Sequence, residues 1–168
     1  MTGWLFDTNI LGAFAPGKLA VSADVAAWFD EHTDELFLSA ITAAEIEAGI
    51  SLVRRTDSGR RADQLTDWFE RMLSFYSDRV LPFDLAATRI AGALSDAARG
   101  RGRHPRFADM AIAAIAKSRE LVIITLNLRH FEPLGVDTLR STRIELPQPD
   151  ASSHKLWCLI ASNEHGAG

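Results

Sequence analysis

Short apolar runs of strand length alternate along this chain with segments that have helical spacing. The runs cover residues 4–6, 36–38, 80–82 and 121–125. Between them, apolar residues recur every three or four positions, and residues 85–98 and 107–118 are rich in alanine, a strong helix former. Strands that alternate with helices pair in parallel and are covered by helices on both faces. The sequence therefore predicts an α/β fold, a three-layer α/β/α sandwich with a central, mainly parallel sheet.

The chain of 168 residues has the length of one ordinary domain, which we expect residues 1–146 to form. Residues 147–168 are expected to be a linker and a tail of unknown role. Two prolines lie within 147–153, and residues 156–160 beyond them are apolar. An apolar patch of this kind suits packing on the domain itself, on a second subunit or on a partner. The sequence leaves these three alternatives open.

The sequence carries no signal for export or for insertion into a membrane. No apolar stretch approaches the roughly 20 residues that span a bilayer. The first residues lack the basic and apolar regions of a secretory signal. The single cysteine, Cys158, excludes an internal disulfide framework and a cysteine-rich zinc site. We therefore expect a cytoplasmic protein without a membrane partner.

Arginines are concentrated in two segments of a chain whose net charge is -4. Residues 54–61 contain four arginines and one acid, and residues 99–106 contain four arginines, a histidine and no acid. Together the segments carry +7, which leaves -11 on the rest of the chain. This asymmetry is typical of a protein with an acidic centre and a basic rim. Arginine-rich loops that are merely solvated would have the same composition.

Acids follow or open several of the predicted helices. Asp7 stands directly between the first apolar run and a helix, and Glu45 and Asp109 are also expected near helix starts. Helices that follow parallel strands begin on one side of the sheet, where ligands of such folds bind. Asp109 joins that side if its helix crosses the crevice at its first turn. Three carboxylates so close together repel one another. The sequence therefore predicts a site for Mg²⁺ or Mn²⁺, which prefer oxygen ligands.

Each acid also has a purely structural explanation. Asp7 can cap the helix that begins near residue 8, and Asp84 can cap the alanine-rich helix that follows it. Residues 42–45, Thr-Ala-Ala-Glu, have the pattern of a capping box, in which Glu45 bonds back to the start of its own helix. Asp109 lies in the first turn of a helix, where the helix dipole favours any acid. The metal site therefore depends on the acids meeting in space.

A series of short motifs stands in a specific order over about residues 1–140. They are Leu5-Phe6-Asp7-Thr8-Asn9-Ile10-Leu11, Ser39-Ala40-Ile41-Thr42-Ala43-Ala44-Glu45-Ile46, Leu81-Pro82-Phe83-Asp84, Ala108-Asp109-Met110-Ala111-Ile112-Ala113-Ala114-Ile115-Ala116, and Ile124-Thr125-Leu126-Asn127-Leu128-Arg129-His130-Phe131. In order and spacing the motifs resemble those of a PIN-domain ribonuclease, and in particular the VapC/FitB-type toxins of bacterial toxin–antitoxin pairs. The resemblance implies that the sandwich is PIN-like.

The resemblance also implies an activity, a metal-dependent endoribonuclease that cuts single-stranded or loop regions of RNA. It assigns the family's three acids to Asp7, Glu45 and Asp109, and its Thr/Ser-x-Asn element to Thr125 and Asn127. Asp7 and Asp109 are expected to be direct ligands of Mg²⁺ or Mn²⁺. Glu45 is expected to hold the metal or to orient the attacking water. Thr125 and Asn127 are expected to support the substrate or a metal-bound water.

The basic rim and the partners follow from the same resemblance. The arginines expected to bind RNA phosphates are Arg99, Arg101, Arg103 and Arg106, and less securely those of residues 54–61. Phosphate contacts position a strand without reading its sequence. VapC-like toxins typically form homodimers and are silenced by an antitoxin whose tail enters the acidic crevice. We therefore expect an RNA substrate, a cognate antitoxin protein and a homodimer.

The last motif departs from the family's usual Asn-x-x-Asp-Phe, because His130 stands where a fourth acid is expected. Histidine binds Mn²⁺ through a neutral nitrogen but is a poor ligand for Mg²⁺. His130 is therefore a weak ligand, a group that supports the ligands, a sign of reduced activity, or a plain surface residue. The alternative function is a non-catalytic PIN-like RNA-binding or interaction module. A haloacid-dehalogenase-like phosphatase would need a second acid at position 9, which is Asn.

Overall fold

The computed structural model describes residues 3–17, 23–57 and 59–140, and a parallel sheet forms its centre. In the described residues the sheet has five strands in the order β3-β2-β1-β4-β5, and every neighbouring pair is parallel. The strands are β1 (Trp4–Phe6), β2 (Leu36–Ser39), β3 (Val80–Leu81), β4 (Val122–Thr125) and β5 (Thr138–Arg140). The predicted α/β fold is confirmed. The short edge strand β5 was not predicted.

Helices cover both faces of this sheet. They are α1 (Thr8–Ala13), α2 (Ala23–Glu31), α3 (Ala40–Thr56), α4 (Gly59–Phe75), α5 (Leu85–Gly100) and α6 (Phe107–Ser118). Successive side chains of a strand face opposite sides. Phe6 accordingly packs into a core with apolar residues of α1 to α4, whereas Leu5 packs into a second core with α5 and α6. The two cores make the predicted three layers.

The central position of β1 determines where functional side chains meet. β1 lies between β2 and β4, so the carboxyl ends of three parallel strands stand side by side. α1 and α3 begin at this edge because each follows its strand directly. α6 also begins there, because it runs back along the sheet to the start of β4. Three helix starts thus surround the end of the central strand.

The predicted capping box at residues 42–45 is wrong. β2 runs straight into α3, so Ser39 is the last extended residue and the N-cap, and its hydroxyl accepts a hydrogen bond from the backbone N–H of Thr42 at 2.9 Å. Thr42 is buried inside the first turn. Glu45 therefore lies in the second turn and does not open its helix. The prediction for Asp84 is confirmed, because its carboxylate caps α5 through the N–H of Ala87 at 2.9 Å.

The remaining expectations about the chain's outline have different outcomes. The described residues contain no helix that combines the length and the apolar character needed to cross a bilayer. The arginine-rich connection between α5 and α6 is exposed along residues 101–104, as expected. The predicted linker and tail, residues 147–168, lie outside the described residues.

Candidate active site

Asp7 stands at the carboxyl end of β1 and is only 4% exposed. It is the N-cap of α1, and its Oδ1 accepts a hydrogen bond from the backbone N–H of Thr8 at 2.7 Å. Its Oδ2 accepts hydrogen bonds from the Thr125 hydroxyl at 2.7 Å and from the Asn9 side-chain amide. Asp7 therefore caps a helix with one oxygen and faces the end of β4 with the other.

The surroundings of Asp7 disfavour its negative charge. Burial raises the pKa of this carboxyl above its ordinary value, and the charges of Asp109 and Glu45 raise it further. Hydrogen bonds from Thr125 and Thr8 lower the pKa, but the net shift is upward. A buried carboxylate near two others is a position that a cation would stabilise.

A hydrogen-bond network fixes the Asp7 side chain between β1 and β4. The fully buried hydroxyl of Thr125, which donates to Asp7, accepts hydrogen bonds from the Asn9 amide at 3.2 Å and from the backbone N–H of Asn127 at 2.9 Å. The Asn9 carbonyl oxygen accepts from the N–H of Leu126 at 3.0 Å. Sequence reasoning gave Asn9 no role. Its place two residues after a strand-end aspartate was the available signal.

Glu45 reaches the same end of the sheet from the second turn of α3. Its Oε2 accepts a hydrogen bond from the Thr8 hydroxyl at 2.6 Å. Its Oε1 faces the guanidinium of Arg106 at 3.9 Å, which is too long for a hydrogen bond but close enough for electrostatic attraction. Glu45 thus joins the starts of α1 and α6. Sequence reasoning missed the role of Thr8 in this contact.

Asp109 is buried in the first turn of α6. Burial raises the pKa of Asp109 above its ordinary value, and the nearby charge of Glu45 adds to this effect. His130 and Arg106 lower the pKa but do not reverse the shift. Asp7, Glu45 and Asp109 therefore interact electrostatically at one end of the sheet.

His130 contacts both Asn127 and Asp109. The Asn127 side-chain nitrogen lies 2.7 Å from His130 Nε2, and His130 Nδ1 lies 3.5 Å from Asp109 Oδ1. The ring therefore contacts the amide of Asn127 with one nitrogen and lies beside the carboxylate of Asp109 with the other. This geometry suits a group that supports a ligand. The histidine holds Asp109 and is itself held by Asn127.

The donor set fits a divalent cation in its chemistry. The three carboxylates provide hard oxygen ligands, and the raised pKa values of Asp7 and Asp109 reflect burial and repulsion that a cation would offset. As the side chains stand, no three Asp, Glu, His or Cys residues of the described chain enclose a metal position. Asp7 and Glu45 are instead turned toward the hydroxyls of Thr125 and Thr8. Ligation therefore requires these side chains to rotate.

The predicted RNA-binding arginines have different surroundings. Arg106 is the N-cap residue of α6, and its side chain, 71% exposed, lies beside Glu45. Arg101 donates hydrogen bonds to the carbonyl oxygens of Ala97 and Pro133, so it ties the end of α5 to a turn after β4. Arg99 and Arg103 are exposed. Of this group, Arg106 is the arginine that the structure pairs with an acid of the site.

The second basic segment lies far from the acids along α3. Arg54 is nine residues beyond Glu45, which is about 14 Å along a helix. Its guanidinium pairs with Asp63 at 2.8 Å and donates to the Thr66 hydroxyl at 3.1 Å, so it joins α3 to α4. Its contacts are those of a structural residue.

A parallel α/β/α sandwich that gathers carboxylates at the end of its central strand defines a class of proteins with an acidic, cation-attracting site. The chain belongs to the PIN domain family, whose sequence model matches residues 4–134. It is 33% identical over 137 residues to VapC ribonuclease Y4jK of Sinorhizobium fredii. The matched region covers 80% of this chain and 94% of the relative.

Two further similarities concern one system of Neisseria gonorrhoeae. The toxin FitB is 31% identical to this chain over 129 residues, which is 76% of this chain and 89% of FitB. The crystal structure of FitAcB from the same organism matches with a TM-score of 0.73 at 29% identity, covering 84% of this chain and 99% of that chain. The fold is therefore shared with a solved structure of which nearly the whole chain is matched.

Proposed function

We propose that this protein is an endoribonuclease that hydrolyses RNA phosphodiester bonds with a divalent cation and acts as the toxin of a type II toxin–antitoxin pair. The observation that carries the proposal is the position of Asp7, Glu45 and Asp109 around the end of β1 in a PIN-domain chain, where Thr8 donates to both Asp7 and Glu45 and Arg106 of the Asp109 helix lies beside Glu45. Similarity to a VapC ribonuclease supports the reaction, and similarity to the toxin FitB supports the biological role.

Asp7, Glu45 and Asp109 would hold Mg²⁺ or Mn²⁺. When bound, such an ion supplies a positive charge that polarises a phosphoryl oxygen and makes a water easier to deprotonate. Thr125 and Asn9 orient the buried carboxylate of Asp7 through their hydrogen bonds. His130, held by Asn127, does the same for Asp109. These residues position acids and need not touch RNA themselves.

Glu45 is the residue that we assign to the attacking water. The Thr8 hydroxyl fixes its Oε2, which leaves Oε1 to accept a proton. The water oxygen then bonds to phosphorus, the phosphorus–oxygen bond to the leaving ribose breaks, and the departing ribose oxygen takes up a proton from solvent. Arg106, whose guanidinium lies at the edge of this site, binds a phosphate of the strand. Arg99 and Arg103 extend the basic rim, so binding should weaken steeply with added salt.

Cleavage assays test the reaction. The protein is incubated with stem-loop RNAs in Mg²⁺, in Mn²⁺ or in chelator, and products are resolved on denaturing gels. Asp7→Asn should abolish cleavage, whereas Asp96→Asn, at an exposed position of α5, should leave it unchanged. Cleavage that persists in chelator or in Asp7→Asn would contradict the proposal. RNA binding without cleavage in either metal would favour a non-catalytic RNA-binding module.

The partner proposal follows from the same acidic site. An antitoxin arginine or lysine would neutralise the carboxylates in place of the cation, and two copies of this chain would form the toxin dimer. The solved FitAcB complex supports a protein partner. Expression of this chain should arrest bacterial growth, and co-expression of the small protein encoded beside it should restore growth and co-purify with it. Absence of a small DNA-binding protein beside the gene would count against this role.

A further inference from the structure

An exposed aromatic ring stands at the start of α6, and the proposed reaction gives it no role. Phe107 is the first residue of this helix and is 62% exposed. Its ring meets the ring of Phe83 edge to face, with centroids 5.9 Å apart and planes at 83°. This geometry is favourable for two aromatic rings, so Phe83 holds the Phe107 ring in place. Most of the residue's surface stays available for another contact.

The position of Phe107 relates this ring to the acidic site. Arg106, which lies beside Glu45, is its neighbour in the chain, and Asp109 is two residues further on. Residues two apart on a helix are separated by about 3 Å along the axis and by about 200° around it. Phe107 and Asp109 therefore occupy opposite sides of the first turn, with Arg106 at the helix end. An RNA strand that crosses the start of α6 would pass from the acids to the Phe107 ring over about 10 Å, which is the diameter of a helix.

We infer that Phe107 is a stacking site for one unpaired base of the RNA, next to the nucleotide whose phosphate lies at the acids. The inference rests on the proposed function and specifies its substrate. An aromatic ring stacks only on a base that has left a helix, and an adjacent arginine holds the backbone phosphate. Every base has a π face, so stacking tolerates all four. The site therefore requires an unpaired base beside the cleaved bond without selecting its identity.

Binding measurements without cleavage test this site. A short single-stranded RNA is titrated in chelator and followed by fluorescence anisotropy. Phe107→Ala should weaken binding by about 5- to 150-fold, the range for loss of one base–aromatic stack. Phe107→Trp should retain the affinity of the wild type. Leu85→Ala is the matched control, because Leu85 is a 69% exposed apolar residue at the start of α5. It should change affinity little.

An abasic nucleotide distinguishes stacking from a general loss of contact. RNAs with one abasic position are compared with the intact RNA. At the position that stacks on Phe107, the missing base should lower the affinity of the wild type and leave the affinity of Phe107→Ala unchanged. Equal sensitivity of both proteins at every position would overturn the inference. The inference would also be overturned if Phe107→Ala weakened binding to a blunt-ended RNA duplex as much as it weakens binding to single-stranded RNA. A change from dimer to monomer in light scattering would instead make Phe107 a contact between two copies of this chain, which also overturns it.

The two proposals fail separately. Metal-dependent cleavage with unchanged RNA affinity in Phe107→Ala would refute the stacking site and leave the nuclease standing. Loss of affinity at one abasic position in a protein that never cuts RNA would refute the nuclease and leave the stacking site.

Discussion

Replacing Asp7 by asparagine is expected to stabilise the metal-free protein at neutral pH, in addition to abolishing cleavage. Burial, together with the charges of Asp109 and Glu45, raises the pKa of Asp7 in the folded state. The folded protein therefore holds this proton more tightly than the unfolded chain does, and the free energy of unfolding falls as the pH rises through this range. At pH 7 this carboxyl therefore destabilises the fold. As the pH falls below the ordinary pKa of aspartate, about 3.9, the carboxyl becomes protonated in both states and the penalty disappears.

The size of the gain depends on what asparagine keeps and what it loses. An amide has nearly the shape of a carboxylate, and its oxygen can still accept the hydroxyl of Thr125 or the N–H of Thr8. The amide nitrogen replaces one of the two oxygens, so at least one of the three hydrogen bonds that Asp7 accepts is lost, and those that remain are no longer charge-assisted. The raised pKa shows that burial and repulsion outweigh these hydrogen bonds. We expect a net gain of about 1 kcal/mol, or about 2–4 °C in Tm.

Thermal unfolding in chelator, followed by circular dichroism at pH 7 and at pH 3.5, measures this gain. Asp96→Asn is the matched control, because this exposed carboxylate on α5 should change stability by less than about 0.5 kcal/mol. Asp7→Asn should melt above the wild type at pH 7 and level with it at pH 3.5. A lower Tm at pH 7 would refute the reasoning, as would an advantage of the same size at pH 3.5.

Two further substitutions probe the site and the sheet. Arg106→Gln removes the guanidinium that lies 3.9 Å from Glu45 and competes with a cation for that acid. Calorimetry should therefore show that the affinity for Mn²⁺ rises by up to about fivefold while the affinity for RNA falls. A fall in both affinities would contradict this reasoning. Gly3→Ala should destabilise the protein by about 1–3 kcal/mol in urea unfolding, because the new Cβ would stand 2.8 Å from Leu121 and 2.9 Å from Phe37. Gly92→Ala, with open space around its Cβ, is the control and should not destabilise.

The sheet could be predicted from the sequence because its buried strands are apolar on both faces. β1 and β4 pack against both cores and appear in the sequence as uninterrupted apolar runs. In the described residues, β5, with the sequence Thr-Leu-Arg, pairs with β4 at one edge of the sheet and has no such run. β3, at the other edge, could be predicted because Val80 and Leu81 form an apolar run, whereas β5 has one apolar residue between two polar ones.

The acids of the site could be predicted from their positions, but their hydrogen-bond partners could not. The Thr8 hydroxyl meets Glu45 across 37 positions of the chain, and Asn9 meets Thr125 across 116. Such contacts arise from tertiary packing and leave no local pattern. The capping box at residues 42–45 was predicted from a local pattern, but tertiary structure overrides it. β2 leads directly into α3, so the helix begins at Ala40 and Ser39 caps it.

The hydrogen bond between Asp7 and Thr125 joins residues 118 positions apart, across the pairing of β1 with β4. A nascent chain therefore cannot fix the Asp7 carboxylate in place until β4 has left the ribosome. If the chain is the RNA-cutting enzyme proposed above, its site stays incomplete until β4 has been translated. The strand order, in which β1 pairs with the late strand β4, thus delays completion of the site during translation.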